Sequence, residues 1–397
     1  MVASMVPEMS TPDFVARARE LGPVLRERAA AAETLRRIPD ETIRDFQDAG
    51  FFRMLQPARY GGYEVDPRVF FDTQIEVARA CPSSAWVLGV VAVHSWQLAL
   101  FEEQAQLDVW SEDTSALISS SYAPVGKVEK ADGGFIVSGR WSFSSGSGHC
   151  EWVFVGGFAP TEPGARGPDM RTFLIPRSDY TIEDTWNVSG LKATGSNDVV
   201  VDRAFVPEHR THKLIHGFTG ESPGLDGDSA PLYRLPFGQV FVRAVSTSAI
   251  GAALGALEAY RAYTARRFAT SDGSKVAEDP TAQLLCAEAA ATLGEVRSIL
   301  TRNFDEMMAH ARAGEKIPVE QRVQYRYESA RAVVKCVEVV DALFTASGGR
   351  ALFDGHPIQR YWQDVHAARA HYANNPDKPA RNLGRVMLGM KNTDFFI

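Results

Sequence analysis

One block of β-type sequence, set between two long stretches of helical patterning, limits the folds open to this chain. Residues 117–158 read LISSSYAPVGKVEKADGGFIVSGRWSFSSGSGHCEWVFVGGF. Val128 to Lys130 and Phe135 to Val137 are short β-type runs around Asp132-Gly133-Gly134, a hairpin turn signal, and Trp152 to Val155 is another run. Thr172 to Ile175, Thr181 to Glu183 and Val199 to Phe205 extend the unit, and Pro207 marks its exit. The pattern predicts an antiparallel β domain. Two serine clusters, Ser119 to Ser121 and Ser142 to Ser147, flank the hairpin. Dense Ser and Gly give a loop many short hydrogen-bond donors and a backbone that can lie close to a flat ligand. A polar surface turn would use the same residues.

On either side the apolar residues recur at helical spacing. Residues 1–10 are expected to be a loose tail. Thr11-Pro12-Asp13 is a helix start, followed by Phe14, Ala18, Leu21, Val24 and Leu25. Further helices open at Pro39-Asp40, at Asp66-Pro67 and at Ser83 or Ser84, the last carrying Trp86, His94 and Trp96. A short fifth helix reaches Trp110. Residues 207–236, rich in Gly, Pro, Ser and Asp, read as a linker or lid. Beyond them four long helices are predicted, over 237–269, 280–313, 319–346 and 357–371, which suggests an up-and-down bundle. Gly251 and Gly255, four apart in the first, suit close helix packing. The expected domains are therefore 1–112 helical, 113–206 β, 207–236 linker, and 237–397 bundle and tail. The apolar terminus Phe395-Phe396-Ile397 is expected to dock on a neighbour, such as another subunit.

Composition narrows the function. A net charge of -7, with no clustered Lys/Arg face, argues against a nucleic-acid surface. The reading finds no apolar run of membrane-spanning length and no signal-peptide core. Cys81, Cys150, Cys286 and Cys336 are scattered and read as reduced thiols of a cytoplasmic protein. No metal site is expected. Neither a GxGxxG opening a helix after a strand nor a P-loop is present. What remains is Ser, His, Trp and Arg spread over three regions, the pattern of a protein in which an organic cofactor carries the chemistry.

The order of helical unit, β unit and four-helix bundle resembles the acyl-CoA dehydrogenase superfamily of flavoproteins. FIVSGRWSFSSG (135–146) is similar to that family's strand and loop beside the flavin. ALEAYRAYTARRF (256–268) is similar to its "AxxYxxxRxxF" helix, and Gly348-Gly349 with PIQRYWQD (357–364) to its "GG…PxxRxxRD" segment. The resemblance implies a mainly α fold with a central β-barrel or sandwich. In many acyl-CoA dehydrogenases a glutamate base stands in a turn past the final Asp; here that turn, HYANNP (371–376), holds no carboxylate. SSSYAP (119–124) also replaces the family's "TEPGAGSD". Both departures resemble the two-component (group D) flavin-dependent monooxygenases, which include the oxygenase components acting on 4-hydroxyphenylacetate and on the phenolic secosteroid of cholesterol breakdown.

That branch implies reduced flavin, FADH2 or FMNH2, delivered by a separate NAD(P)H-dependent reductase. It implies O2 as co-substrate, a C4a-hydroperoxyflavin, an aromatic substrate and a homotetramer. Carried over by position, Ser145 is the candidate for hydrogen bonding to flavin N5, with Ser144 the alternative. His371 is the candidate base or phenol partner, with an imidazole pKa near neutrality. His94 and Ser120 are candidates to hold the substrate hydroxyl. Trp86, Ser120, Ser121, Tyr122, Phe143, Arg266, Gly349, Arg350, His371 and Tyr372 fall at flavin-contact positions, and the Arg266 guanidinium suits a flavin phosphate. The alternatives are an acyl-CoA dehydrogenase-like enzyme with tightly held FAD, and a flavin-free binding relative.

Overall fold

The computed structural model describes residues 11–161, 167–225 and 229–397, so the tail read over 1–10 lies outside the described residues. Five helices come first: α1 (Phe14–Leu35), α2 (Asp40–Asp48), α3 (Pro67–Ala80), α4 (Pro82–Leu98) and α5 (Glu103–Trp110). The Asp-Pro signal acts as predicted at α3, where the Asp66 side chain accepts from the Arg68 N–H and Pro67 fills the first helical position. α4 differs from the reading: it starts at Pro82, one residue before the serines taken as caps.

Seven strands follow: β1 (Ile118–Ala131), β2 (Gly134–Ser144), β3 (Trp152–Ala159), β4 (Asp169–Pro176), β5 (Thr181–Glu183), β6 (Asn197–Pro207) and β7 (Thr211–Lys213). They form one sheet in the order β5-β6-β2-β1-β3-β4-β7. The hairpin closes where expected, at Ala131 opposite Gly134. The sheet is mixed, however, rather than antiparallel, because β3 pairs parallel to β1 from Ile118–Trp152 to Ser121–Val155. The outer edge of β2 is already taken by β6, so β3 docks on the free edge of β1. Ser119 to Ser121 consequently lie inside a strand and not in a loop. Strand alternation buries Ser119 and Ser121 and leaves Ser120 partly open. The 207–236 stretch, read as a linker or lid, holds β7 and α6 (Leu214–Thr219).

The bundle comprises α7 (Phe237–Thr264), α8 (Pro280–Ala313), α9 (Val319–Ser347) and α10 (Pro357–Ala370). A further helix, α11 (Asp377–Met387), occupies sequence read as tail. Contrary to the sequence reading, α7 is long and apolar enough to cross a membrane, but 89% of its apolar window is buried inside the protein. It is the central core helix, packed by α3, α4, α9 and α10. Its glycines permit the closest approach. A Cβ on Gly251 would lie 2.4 Å from the Ile75 carbonyl oxygen, and one on Gly255 would lie 2.6 Å from that of Arg79. Phe396 packs against Phe218, Phe237 and Phe241 of this same chain, with ring centroids 5.5–6.1 Å apart.

Candidate active site

Every residue of α4 is buried, wedged between the sheet and the bundle. That placement delivers Trp86 and His94 to the boundary between them. The Trp86 Nε1–H donates to Ser145 Oγ at 3.1 Å. Ser145 Oγ is 2.7 Å from Ser196 Oγ, which is 2.6 Å from Thr194 Oγ1. Thr194 Oγ1 in turn donates to the Leu191 carbonyl at 3.0 Å. Gly146, at φ 72°, lets the Ser144–Gly146 turn abut α4, where a Cβ would come 2.9 Å from Val87. Ser144 is fully buried with no partner for its hydroxyl, whereas Ser145 keeps 7% exposure.

Phe143 has φ 68°, a left-handed conformation that a bulky residue rarely adopts. Its ring is 71% exposed and meets Trp186 edge-on at 6.1 Å. Strain of this kind concentrates at ligand-binding sites. Ser121 Oγ donates to the Ser142 carbonyl at 2.7 Å, tying β1 to the end of β2.

His371 terminates α10 and turns its ring toward Trp86 at 5.6 Å and Phe241 at 6.2 Å. Its Nδ1 accepts the Ala373 N–H at 3.1 Å, so in the neutral ring Nε2 carries the proton and is a donor. Burial, with Arg326 nearby, pushes its pKa down to about 4. The turn is fixed from two sides: Arg326 donates to the Ala373 carbonyl at 2.8 Å, and Asn374 to the Val245 carbonyl at 3.1 Å. Tyr372 beside it is 61% exposed.

On the other side of Phe241 stands Tyr122, 5.4 Å away ring to ring. Its hydroxyl donates to Gln97 Oε1 and also hydrogen-bonds Ser120, and burial raises its pKa well above the usual phenol value. His94 lies behind Tyr122, edge-on to it and to Phe154. Its Nδ1 is 2.5 Å from the Ile118 carbonyl and therefore donates, which leaves a fully buried Nε2 lone pair without a partner. Burial holds its pKa at about 4. The two histidines thus present opposite faces, a donor at His371 and an acceptor at His94.

The remaining candidates form a second, separate cluster. Arg266, Gly349 and Arg350 are exposed and line a cleft of about 800 Å³ with Tyr263, Arg267 and Phe353. Arg267 is pinned to the Ala346 and Ser347 carbonyls at 2.9 and 3.1 Å. Arg266 and Arg350 make no side-chain hydrogen bond or ion pair among the described residues. At 1.5 Å per helical residue, the end of α7 at Thr264 lies roughly 34 Å from Phe241, and Arg266 follows just beyond it. One chain therefore brings together Trp86, Ser120, Ser121, Tyr122, Phe143, Ser145 and His371, and keeps Arg266, Gly349 and Arg350 apart from them. The sequence reading did not single out Thr194, Ser196, Gln97, Phe241 or Arg326.

This helical domain, mixed sheet and bundle, with a Ser–Trp–His cluster at their junction, define an acyl-CoA dehydrogenase-type protein. Residues 14–114 match the acyl-CoA dehydrogenase N-terminal domain, and residues 244–376 its C-terminal domain. The chain is 42% identical over 378 residues to the flavin-dependent monooxygenase oxygenase subunit HsaA of Rhodococcus jostii, covering 94% of this chain and 98% of that one. It is 34% identical to the oxygenase component of a FADH2-dependent resorcinol hydroxylase from a Rhizobium species, covering 95% and 94%. The crystal structure of 3-HSA hydroxylase from Rhodococcus sp. RHA1 superposes with a TM-score of 0.93 at 40% identity, covering 98% and 99%. The chain belongs to the family of oxygenase subunits of flavin-dependent monooxygenases.

Proposed function

We infer that this oxygenase component takes reduced flavin from a separate NAD(P)H-dependent reductase and uses O2 to hydroxylate a phenol or another electron-rich aromatic. The observation that carries this reading is the turn at the end of α10. It sets His371 against Trp86 and Phe241, and its residues His371 to Asn375 include no carboxylate to serve as a dehydrogenase base.

The residues present fit a flavin. Ser145 retains a free lone pair at the edge of an aromatic wall, Phe143 is exposed on a strained backbone beside it, and Arg266 and Arg350 offer unpaired guanidinium groups. Reduced flavin, when bound, supplies the two electrons that activate O2. Trp86, Phe241 and Tyr122 exclude water from the ring and orient the substrate. His371, neutral and carrying its proton on Nε2, is placed to donate a hydrogen bond to the substrate oxygen and so to favour negative charge developing there. Between base and phenol partner, this tautomer favours the partner. Ser120, on the Tyr122 hydroxyl, is the second group placed for the substrate hydroxyl. Arg266 serves a flavin held by another subunit of a homotetramer, which accounts for its distance from His371. We place the protein in the cytoplasm.

The test is isotopic. Purified protein, FADH2 and a simple phenol such as resorcinol are mixed under ¹⁸O2, and products are read by mass spectrometry. A hydroxylated product carrying one ¹⁸O is expected. Absence of label across a panel of phenols, with turnover of acyl-CoA instead, would reverse the assignment.

A further inference from the structure

The hydroxyl chain behind Ser145 has fixed ends. At one end the indole N–H of Trp86 can only donate, and it gives its hydrogen to Ser145 Oγ. At the other end the Leu191 carbonyl can only accept. It takes Thr194 Oγ1 at 3.0 Å, the Thr194 N–H at 3.1 Å and the Trp186 Nε1–H at 3.0 Å. Between them lie three hydroxyls with one hydrogen each. If Thr194 gives its hydrogen to Leu191, it must accept from Ser196, and Ser196 must accept from Ser145. Every hydrogen in the chain is then used, and all of them run toward Leu191. Ser145 is left with one unfilled lone pair and no hydrogen for a ligand. Reversing the chain would forfeit the Thr194–Leu191 bond. Thr194 is 1% exposed and Ser196 3%, so no bulk water replaces that bond.

We propose that Thr194 and Ser196 are positioning residues: they aim the Ser145 hydrogen away from the site, so that its oxygen accepts from the N5–H of reduced flavin and rejects the bare N5 acceptor of oxidised flavin. This rests on the flavin reading above. It adds that the preference for the reduced cofactor is set by residues that never touch it. The loop carrying them is itself anchored, since Asp364 Oδ1 on α10 accepts the Leu191 N–H at 2.5 Å, and Gly146 N–H donates to the Thr194 carbonyl at 2.9 Å.

The discriminating measurement is equilibrium binding, without turnover. Wild type, Thr194→Val and Ser196→Ala are titrated with oxidised FAD in air-equilibrated buffer and with FADH2 under anaerobic conditions. Wild type should hold the reduced form more tightly. In Thr194→Val the chain loses its terminal donor, Ser196 turns its hydrogen to Ser145, and the Ser145 hydrogen swings into the site. The ratio of oxidised to reduced dissociation constants should fall about tenfold, the worth of one hydrogen bond redirected. Equivalently, the midpoint potential of bound flavin should drop by about 30 mV, since tenfold corresponds to that value for a two-electron couple. Ser196→Ala, which frees the Ser145 hydrogen directly, should shift the ratio in the same direction. A merely structural defect would weaken both redox states alike and leave the ratio unmoved. An unchanged ratio in both variants overturns the proposal even if Ser145→Ala alters flavin binding. Failure of wild type to bind flavin in either state overturns the flavin reading as well.

Discussion

His94 and His371 are both held neutral, each with one ring nitrogen on the backbone, and His212 on β7 joins them as a buried imidazole. Their pKa values are pushed from 6.5 down to about 4, 4 and 3 respectively, chiefly by burial. An unfolded histidine takes a proton near pH 6.5, whereas these do so only well below it. The stability gained from keeping them neutral is complete above about pH 6.5 and is lost as pH falls toward 4. Asp364 acts in the opposite sense. Burial raises its folded pKa from 3.8 to about 7, so it weakens the fold as pH rises through that window. Near pH 5 the unfolded chain binds three protons at these sites and the folded chain one. These four groups together should therefore make stability rise with pH by about 3 kcal/mol per unit, and the depressed values of His149, His216 and His356 act in the same direction. Urea unfolding between pH 5 and 6 measures the slope. His94→Asn should reduce it by about 1.4 kcal/mol per unit; an unchanged slope would mean that His94 is protonated in the fold. Motifs in the sequence singled out Ser145 and His371, and the fold sets both against Trp86. Ser196 was not singled out, because a hydroxyl 51 residues away in sequence meets Ser145 only once β2 and β6 pair.

At the scale of elements, the interface between α3 and α7 sets how near the N-terminal helices sit to the bundle. Gly251 has no room for a methyl group: the Ile75 carbonyl, at 2.4 Å from the Cβ position, is helix backbone and cannot rotate away. Gly251→Ala should therefore destabilise the protein by about 1–3 kcal/mol through overpacking, despite the gain in helix propensity. A thermal melt that rises instead of falling would show that α3 yields easily. Helical spacing and Asp-Pro starts made these helices legible, because both signals are local. The parallel pairing of β1 with β3 was not, since it depends on which strand edge β6 leaves free. The residues of α6 and β7 were hidden by Gly, Pro and Ser, whose turn propensities dominate a short window.

At the scale of the whole molecule, the proposed assembly would join two clusters that lie at opposite ends of α7. His371 packs on Phe241 near the start of α7, while Arg266 follows the end of that 28-residue helix, with no side-chain partner among the described residues. An exposed guanidinium next to one that is pinned by two carbonyls is available for a phosphate, and the proposal that it serves a flavin on another copy can be tested directly. Two defective variants can then complement each other. Arg266→Ala chains keep a sound His371, and His371→Ala chains keep a sound Arg266. Each variant alone should lose most hydroxylation. Co-expressed in equal amounts with random assembly, they should form about a quarter of their sites from two intact halves and recover activity in that proportion. If both residues served a flavin within one chain, every site would carry one defect, and mixing would restore nothing. Size-exclusion chromatography of each variant checks that neither substitution has simply prevented assembly, so a failure to recover activity would bear on the shared site itself.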